Sequence, residues 1–127
     1  MLAINPQVKI YLHTEPIDMR KSFDGLFGII KSDLHLDVRD GGVFMLLNLR
    51  RNLIKLIYWD RDGIAIWMKR LESNCFQRPL RSSDGKHIII EPTELQSILA
   101  GIDLASIKMR KRYVAPNLIP LATNAAS

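Results

Sequence analysis

The sequence holds a single cysteine, Cys75, among 127 residues. One thiol excludes an internal disulfide framework and any zinc finger, and it fits a reducing compartment, so a cytoplasmic protein is expected. No apolar run approaches the roughly 18–20 residues of a membrane span. The opening MLAINPQVKI lacks a basic segment followed by a long apolar one, so neither a secretory signal nor a membrane partner is expected. There is no glycine-rich phosphate loop and no G-x-S-x-G elbow. His13, His35, His87 and Cys75 are scattered without ligand spacing, so no metal and no cofactor is expected.

What is present is ordinary for a globular chain: 47% hydrophobic and 24% charged residues. The length suits one domain with a real core. The net charge is +5, which favours an anionic partner, nucleic acid first. Residues 1–37 carry four Lys or Arg against five Asp or Glu, 38–91 carry ten against six, and 92–127 carry four against two. The positive excess therefore lies in the middle and the tail.

Periodicity predicts an α+β fold: an antiparallel sheet of about five strands with two helices. QVKIYL (7–12) alternates as a strand. Met19, Phe23, Leu26, Phe27, Ile30 and Leu34 then recur at helical spacing, predicting a helix over 19–34 with Asp18 as N-cap. Gly25 and Gly28 weaken that helix intrinsically and are read as letting it lie close to a sheet. A β-meander of three long strands follows at 43–49, 53–59 and 64–71, and HIIIE (87–91) is a fifth strand. Thr93 and Gln96 have capping-box spacing at the start of a second helix. Leu95, Ile98 and Leu99 form its buried stripe, and Gly101 ends it. The domain is expected over 1–103, with 104–127 a flexible basic tail.

A two-residue turn at Arg51-Asn52 pairs Arg50 with Leu53, Asn48 with Lys55, Leu46 with Ile57 and Phe44 with Trp59. One sheet face then collects Met45, Leu47, Leu49, Ile54, Leu56, Tyr58, Ala65, Trp67 and Leu71, with Lys69. The other collects Phe44, Leu46, Ile57, Trp59, Ile64, Ile66 and Met68, with Asn48, Arg50, Lys55 and Arg70 at one end. Either helices cover both faces, or the second is a docking surface.

Several groups invite a functional reading. Arg50, Arg51, Lys55 and Arg70 converge on one turn, where they suit phosphate contacts or form a solvated hairpin end. Arg20 and Lys21 fall in the first helical turn, where positive charge opposes the helix dipole. A bound anion would relieve that conflict; otherwise the side chains reach into water. Lys108, Arg110, Lys111 and Arg112 make a basic stretch suited to ordering on nucleic acid, or to a soluble tail. Phe44, Trp59 and Ile66 on the second face are the candidate protein-interaction residues. Trp59 is read as core, with stacking on a base or a partner side chain as the alternative. Asp60 and Asp62 suit a divalent ion, but DRDG has the residue types of a tight turn, which is the preferred reading.

IYLHTEPIDMRKSFDGL (10–26) and VFMLLNLRRNLIKLIYWDRDGIAIWMKRLESNCF (43–76) resemble the TnpB-type, Orf2-like accessory proteins encoded by bacterial insertion sequences of the IS66 family. ELQSILAGIDL (94–104) is similar to that family's C-terminal helix. The motif positions matched are Asp18, Met19, Arg20, Lys21, Phe23, Asp24 and Gly25, then Lys55, Tyr58, Trp59, Asp60, Asp62, Gly63, Lys69, Arg70, Leu71 and Glu72. Asn52 and Cys75 depart from the family pattern. The resemblance implies a non-catalytic role in transposition beside a separate transposase. The expected partners are that transposase, DNA through the basic groups, and, through the apolar second face, the transposase or a second copy of the chain; no catalytic residue carries over.

Overall fold

The computed structural model describes residues 7–79, 85–103 and 108–109. The strands are β1 (Ile10–His13), β2 (Val43–Leu47), β3 (Leu53–Asp60), β4 (Gly63–Arg70), β5 (His87–Ile90), β6 (Ile102–Asp103) and β7 (Lys108–Met109). The helices are α1 (Phe23–Leu34) and α2 (Pro92–Ala100). The first five strands form one sheet in the order β4-β3-β2-β1-β5, and β6 and β7 pair as a separate ribbon. The α+β class is as expected, but the sheet is mixed. β1 runs parallel to β2 because α1 lies between them, and a helical connection returns the chain to the end from which it started. All other neighbours are antiparallel.

Helices cover both faces of the sheet. On one, Leu95, Ile98 and Leu99 of α2 pack with Phe76 against Ile10, Leu12, Met45, Leu47, Ile54 and Leu56. On the other, Leu26, Ile30 and Leu34 of α1 pack with Ile17 and Val38 against Phe44, Leu46 and Ile57. This two-sided burial explains why all five residues of β2 are buried and why β2 reads as a continuous apolar run. It also excludes Phe44 as a docking residue, since its ring is 1% exposed and stacked on Tyr11 with centroids 5.0 Å apart.

Three expectations about the helices change. The helix α1 starts at Phe23, with Ser22 as N-cap, so Arg20 and Lys21 precede it and the acidic residue of its first turn is Asp24. Gly25 and Gly28 do not serve the sheet: a Cβ at Gly25 would meet Lys21, and one at Gly28 would meet nothing. The close glycine is Gly42, at φ +92°, where a Cβ would lie 2.9 Å from the Tyr11 ring. The α2 capping box is built by Glu91 and Glu94 rather than Thr93 and Gln96, while Gly101 ends α2 in the left-handed conformation as expected.

The β2–β3 register also differs. Leu46 pairs with Lys55, Phe44 with Ile57 and Leu47 with Ile54, a shift of two residues. The cause is Asn48. Its Oδ1 accepts from the Asn52 and Leu53 amides at 3.0 Å each, and its Nδ2 donates to Asn52 Oδ1 at 2.7 Å. These bonds close a longer loop over 49–52, with Arg51 at φ 57°. Because side chains alternate with a period of two, a slip of two leaves every strand residue on its expected face. Leu49 is the exception. It leaves the strand and is 80% exposed, not core.

Candidate nucleic-acid interface

The β2–β3 loop is held from several sides. The Arg51 amide donates to Asn48 O at 3.0 Å, the Leu71 amide to Asn52 O at 2.8 Å and the Phe76 amide to Arg51 O at 2.6 Å. The last two bonds tie the segment after β4 to the loop. Arg50 and Arg51 project from this support, both exposed, and neither is in an ion pair among the described residues. Arg70, also exposed, lies at the same end of the sheet because it pairs with Leu53, the first residue after the loop. Three cations thus share one end of the sheet, two of them on a fixed loop. Such an arrangement offers charge to an anion with little side-chain ordering beyond the cations themselves.

Lys55 does not belong to that surface. It is 6% exposed, and its ammonium donates to Met19 O and Lys21 O at 3.0 Å each. A buried ammonium needs such partners, so this side chain is committed to holding the chain segment ahead of α1 onto β3. The contact brings Lys21, which is exposed, over the same face of the sheet as Arg70. Lys69 behaves similarly on the opposite face, donating to Leu99 O in the last turn of α2 at 3.1 Å, where positive charge suits the helix terminus.

Arg20 is exposed but its charge is taken. Its Nη2 donates to Asp18 Oδ2 at 2.7 Å, and its Nε to Oδ1 at 3.0 Å. The paired guanidinium holds the Asp18 carboxyl well below the usual carboxylate range. Arg39 and Asp37 repeat the motif at 2.7 Å, which lowers Asp37 to about 2. The expected conflict between Arg20, Lys21 and the helix dipole therefore does not arise. Lys108 lies in β7, and Arg110, Lys111 and Arg112 fall outside the described residues, as does the rest of the tail apart from Met109.

Trp59 is 36% exposed and its indole donates to Arg61 O at 2.9 Å. Ile66 is half-buried against the α1-side core. Asp60 and Asp62 flank Arg61 in a tight hairpin turn in which Arg61, at φ 57°, takes the left-handed conformation. Among the described residues no group of three or more His, Cys, Asp or Glu is placed to hold a metal ion.

Two groups were not legible as site residues. Arg78 lines a cavity of about 180 Å³ together with Arg51, Asn48 and Leu49, and its Nη2 donates to Thr14 O at 3.2 Å. Nothing in the local sequence of Arg78 signals that return to the loop. His13 is buried, donates from Nε2 to Asp33 at 2.9 Å and accepts the Glu15 amide on Nδ1 at 3.0 Å. Both ring nitrogens are occupied, so the His13–Asp33 pair is structural. The His13 hydrogen bond is the main cause of the lowered Asp33 carboxyl.

The family described as IS66 Orf2 like protein matches residues 8–109. Among curated proteins, two uncharacterized proteins of Sinorhizobium fredii are similar. The protein y4jC is 29% identical over 87% of this chain and 92% of its own length. The protein y4hO is 33% identical over 81% of this chain and 88% of its own length. No solved structure matches the chain.

Proposed function

The chain belongs to the IS66 Orf2 like family, which is associated with accessory roles in insertion-sequence transposition, and from that premise we propose that it is a non-catalytic factor binding DNA through the loop end of its sheet. Arg50, Arg51 and Arg70 make the contact, with Lys21 over the same face of the sheet as Arg70. The carrying observation is the pair Arg50 and Arg51: exposed, in no ion pair among the described residues, and mounted on a loop fixed by backbone and Asn48 hydrogen bonds. Such cations contact phosphate and supply affinity rather than sequence readout. The test is a salt-titrated binding assay with insertion-sequence ends and random duplex DNA. Losing two phosphate contacts in Arg50→Ala/Arg51→Ala flattens the log–log salt slope by about 1.8. Charge reversal at both positions weakens binding further. Unchanged affinity and slope in the folded double variant remove the loop from the interface.

A second reading is a protein-interaction module that docks the transposase or a second copy. It is favoured by Met68 at 54% and Trp59 at 36% exposure, on the part of the α1-side face that the helix leaves open. On that reading Trp59→Ala weakens complex formation while DNA affinity stays level.

A further inference from the structure

Leu49 is the most exposed large apolar side chain among the described residues, at 80%, and the next is Met68 at 54%. It is not the end of a loose loop. The residue before it, Asn48, makes three side-chain hydrogen bonds across the loop, and the backbone on the far side is tied by the bonds from Leu71 and Phe76. The five residues before Asn48 are all buried. The fold thus buries Val43–Leu47 completely and then holds a leucine out into solvent on a fixed tip.

The surroundings are cationic. Arg50 and Arg51 follow Leu49 directly, and Arg51 and Arg78 line the cavity beside it. One carboxylate, Glu15, lines that cavity too, and it pairs with Lys86 at 3.4 Å. An apolar tip followed directly by Arg50 and Arg51 complements DNA better than an apolar protein groove, because those two arginines then meet phosphates and the leucine meets base faces. Proteins that bend DNA from the minor groove insert such apolar wedges between base pairs while flanking cations hold the backbone.

We infer that Leu49 is a wedge: the loop enters the minor groove of duplex DNA and inserts this side chain between adjacent base pairs, unstacking and bending the duplex. The inference rests on the DNA-binding reading above and adds a mechanical consequence to it. Arg50 and Arg51 anchor; Leu49 deforms.

The experiment uses the full chain on a short duplex carrying end-placed energy-transfer dyes and a central 2-aminopurine. Saturation with the wild type should raise energy transfer and 2-aminopurine fluorescence together. Leu49→Ala should lose most of both signals while its affinity falls by no more than about tenfold, a change of about 1.4 kcal/mol. Leu49→Phe should retain them. Leu49 makes little contact with the core, so the alanine variant folds. Wild-type binding without either signal overturns the wedge and leaves the DNA reading standing. No binding by the wild type overturns both. Equal signals from Leu49→Ala overturn the wedge, as does loss of transposase capture by that variant with its DNA signals intact, which makes the tip a protein contact.

Discussion

Lys55→Met separates the structural role of Lys55 from an ionic one. Methionine keeps most of the aliphatic stem between β3 and α1 and removes the ammonium. Two charge-assisted hydrogen bonds disappear, each worth about 1.5–3 kcal/mol, and two carbonyls in the segment ahead of α1 lose their partner. Against this stands the ammonium's desolvation cost, several kcal/mol, which the variant no longer bears. Because the side chain is 6% exposed, the orphaned carbonyls are poorly reached by water, and the loss dominates. The expected destabilisation is about 2–4 kcal/mol, a large part of the about 5–15 kcal/mol typical of a domain. With a urea slope of about 2 kcal/mol/M the unfolding midpoint falls by about 1–2 M. DNA affinity and salt slope of the folded variant stay at wild-type values, since no phosphate contact is removed. A variant as stable as wild type, or more stable, refutes the claim that these two bonds hold the segment down. A stable variant with a flatter salt slope returns Lys55 to the binding surface.

Phe76→Ala, which empties a fully buried ring position between α2 and the sheet, should cost about 3–5 kcal/mol in chemical denaturation. Asn48→Ala removes the side chain that closes the β2–β3 loop; about 1–2 kcal/mol of stability is expected to go, and amide exchange should speed up at Asn52 and Leu53. Asp37 has a folded pKa lowered to about 2 from 3.8, so its contribution is present above 3.8 and lost as pH falls toward 2. Melting temperature measured from pH 5 to pH 2 should therefore fall less steeply in Asp37→Asn than in wild type, and an identical pH profile counts against the Asp37–Arg39 pair.

The face assignment of the meander was legible because strand parity survives a register error of two. Nothing in the sequence distinguishes the hydrogen-bonding reach of Asn48 from an ordinary loop residue, so the loop length was not legible, and with it the exposure of Leu49. The helix α1 was legible as a stripe of Leu26, Ile30 and Leu34, but its start was not. Asp18 has the right chemistry for an N-cap, yet its carboxylate accepts from the Arg20 amide and guanidinium and forms a local turn instead. The parallel β1–β2 pairing is a long-range choice that periodicity does not encode. The burial of the cations is not encoded in strand parity. Lys55 and Arg70 share a face and a neighbourhood, and only the distance to Met19 O and Lys21 O shows that one is inside and the other outside.

The partners of each cation decide which positive charges matter. The net charge is +5, but the charge of Arg20 is neutralised locally, as is that of Arg39, and Lys55 and Lys69 are bound to backbone carbonyls of the segment ahead of α1 and of α2. The two lysines do on opposite faces what packing alone does elsewhere: they fix the ends of the two helical layers to β3 and β4. Arg50, Arg51 and Arg70 have no such duty among the described residues, and they stand where the sheet is crossed by its longest internal hairpin loop. A cation whose removal the fold would not notice, mounted on backbone that the fold holds firmly, is better placed for an external phosphate than one already committed to a carbonyl. Binding and stability should therefore separate cleanly by residue, with Lys55 and Lys69 moving the second and Arg50 and Arg51 the first.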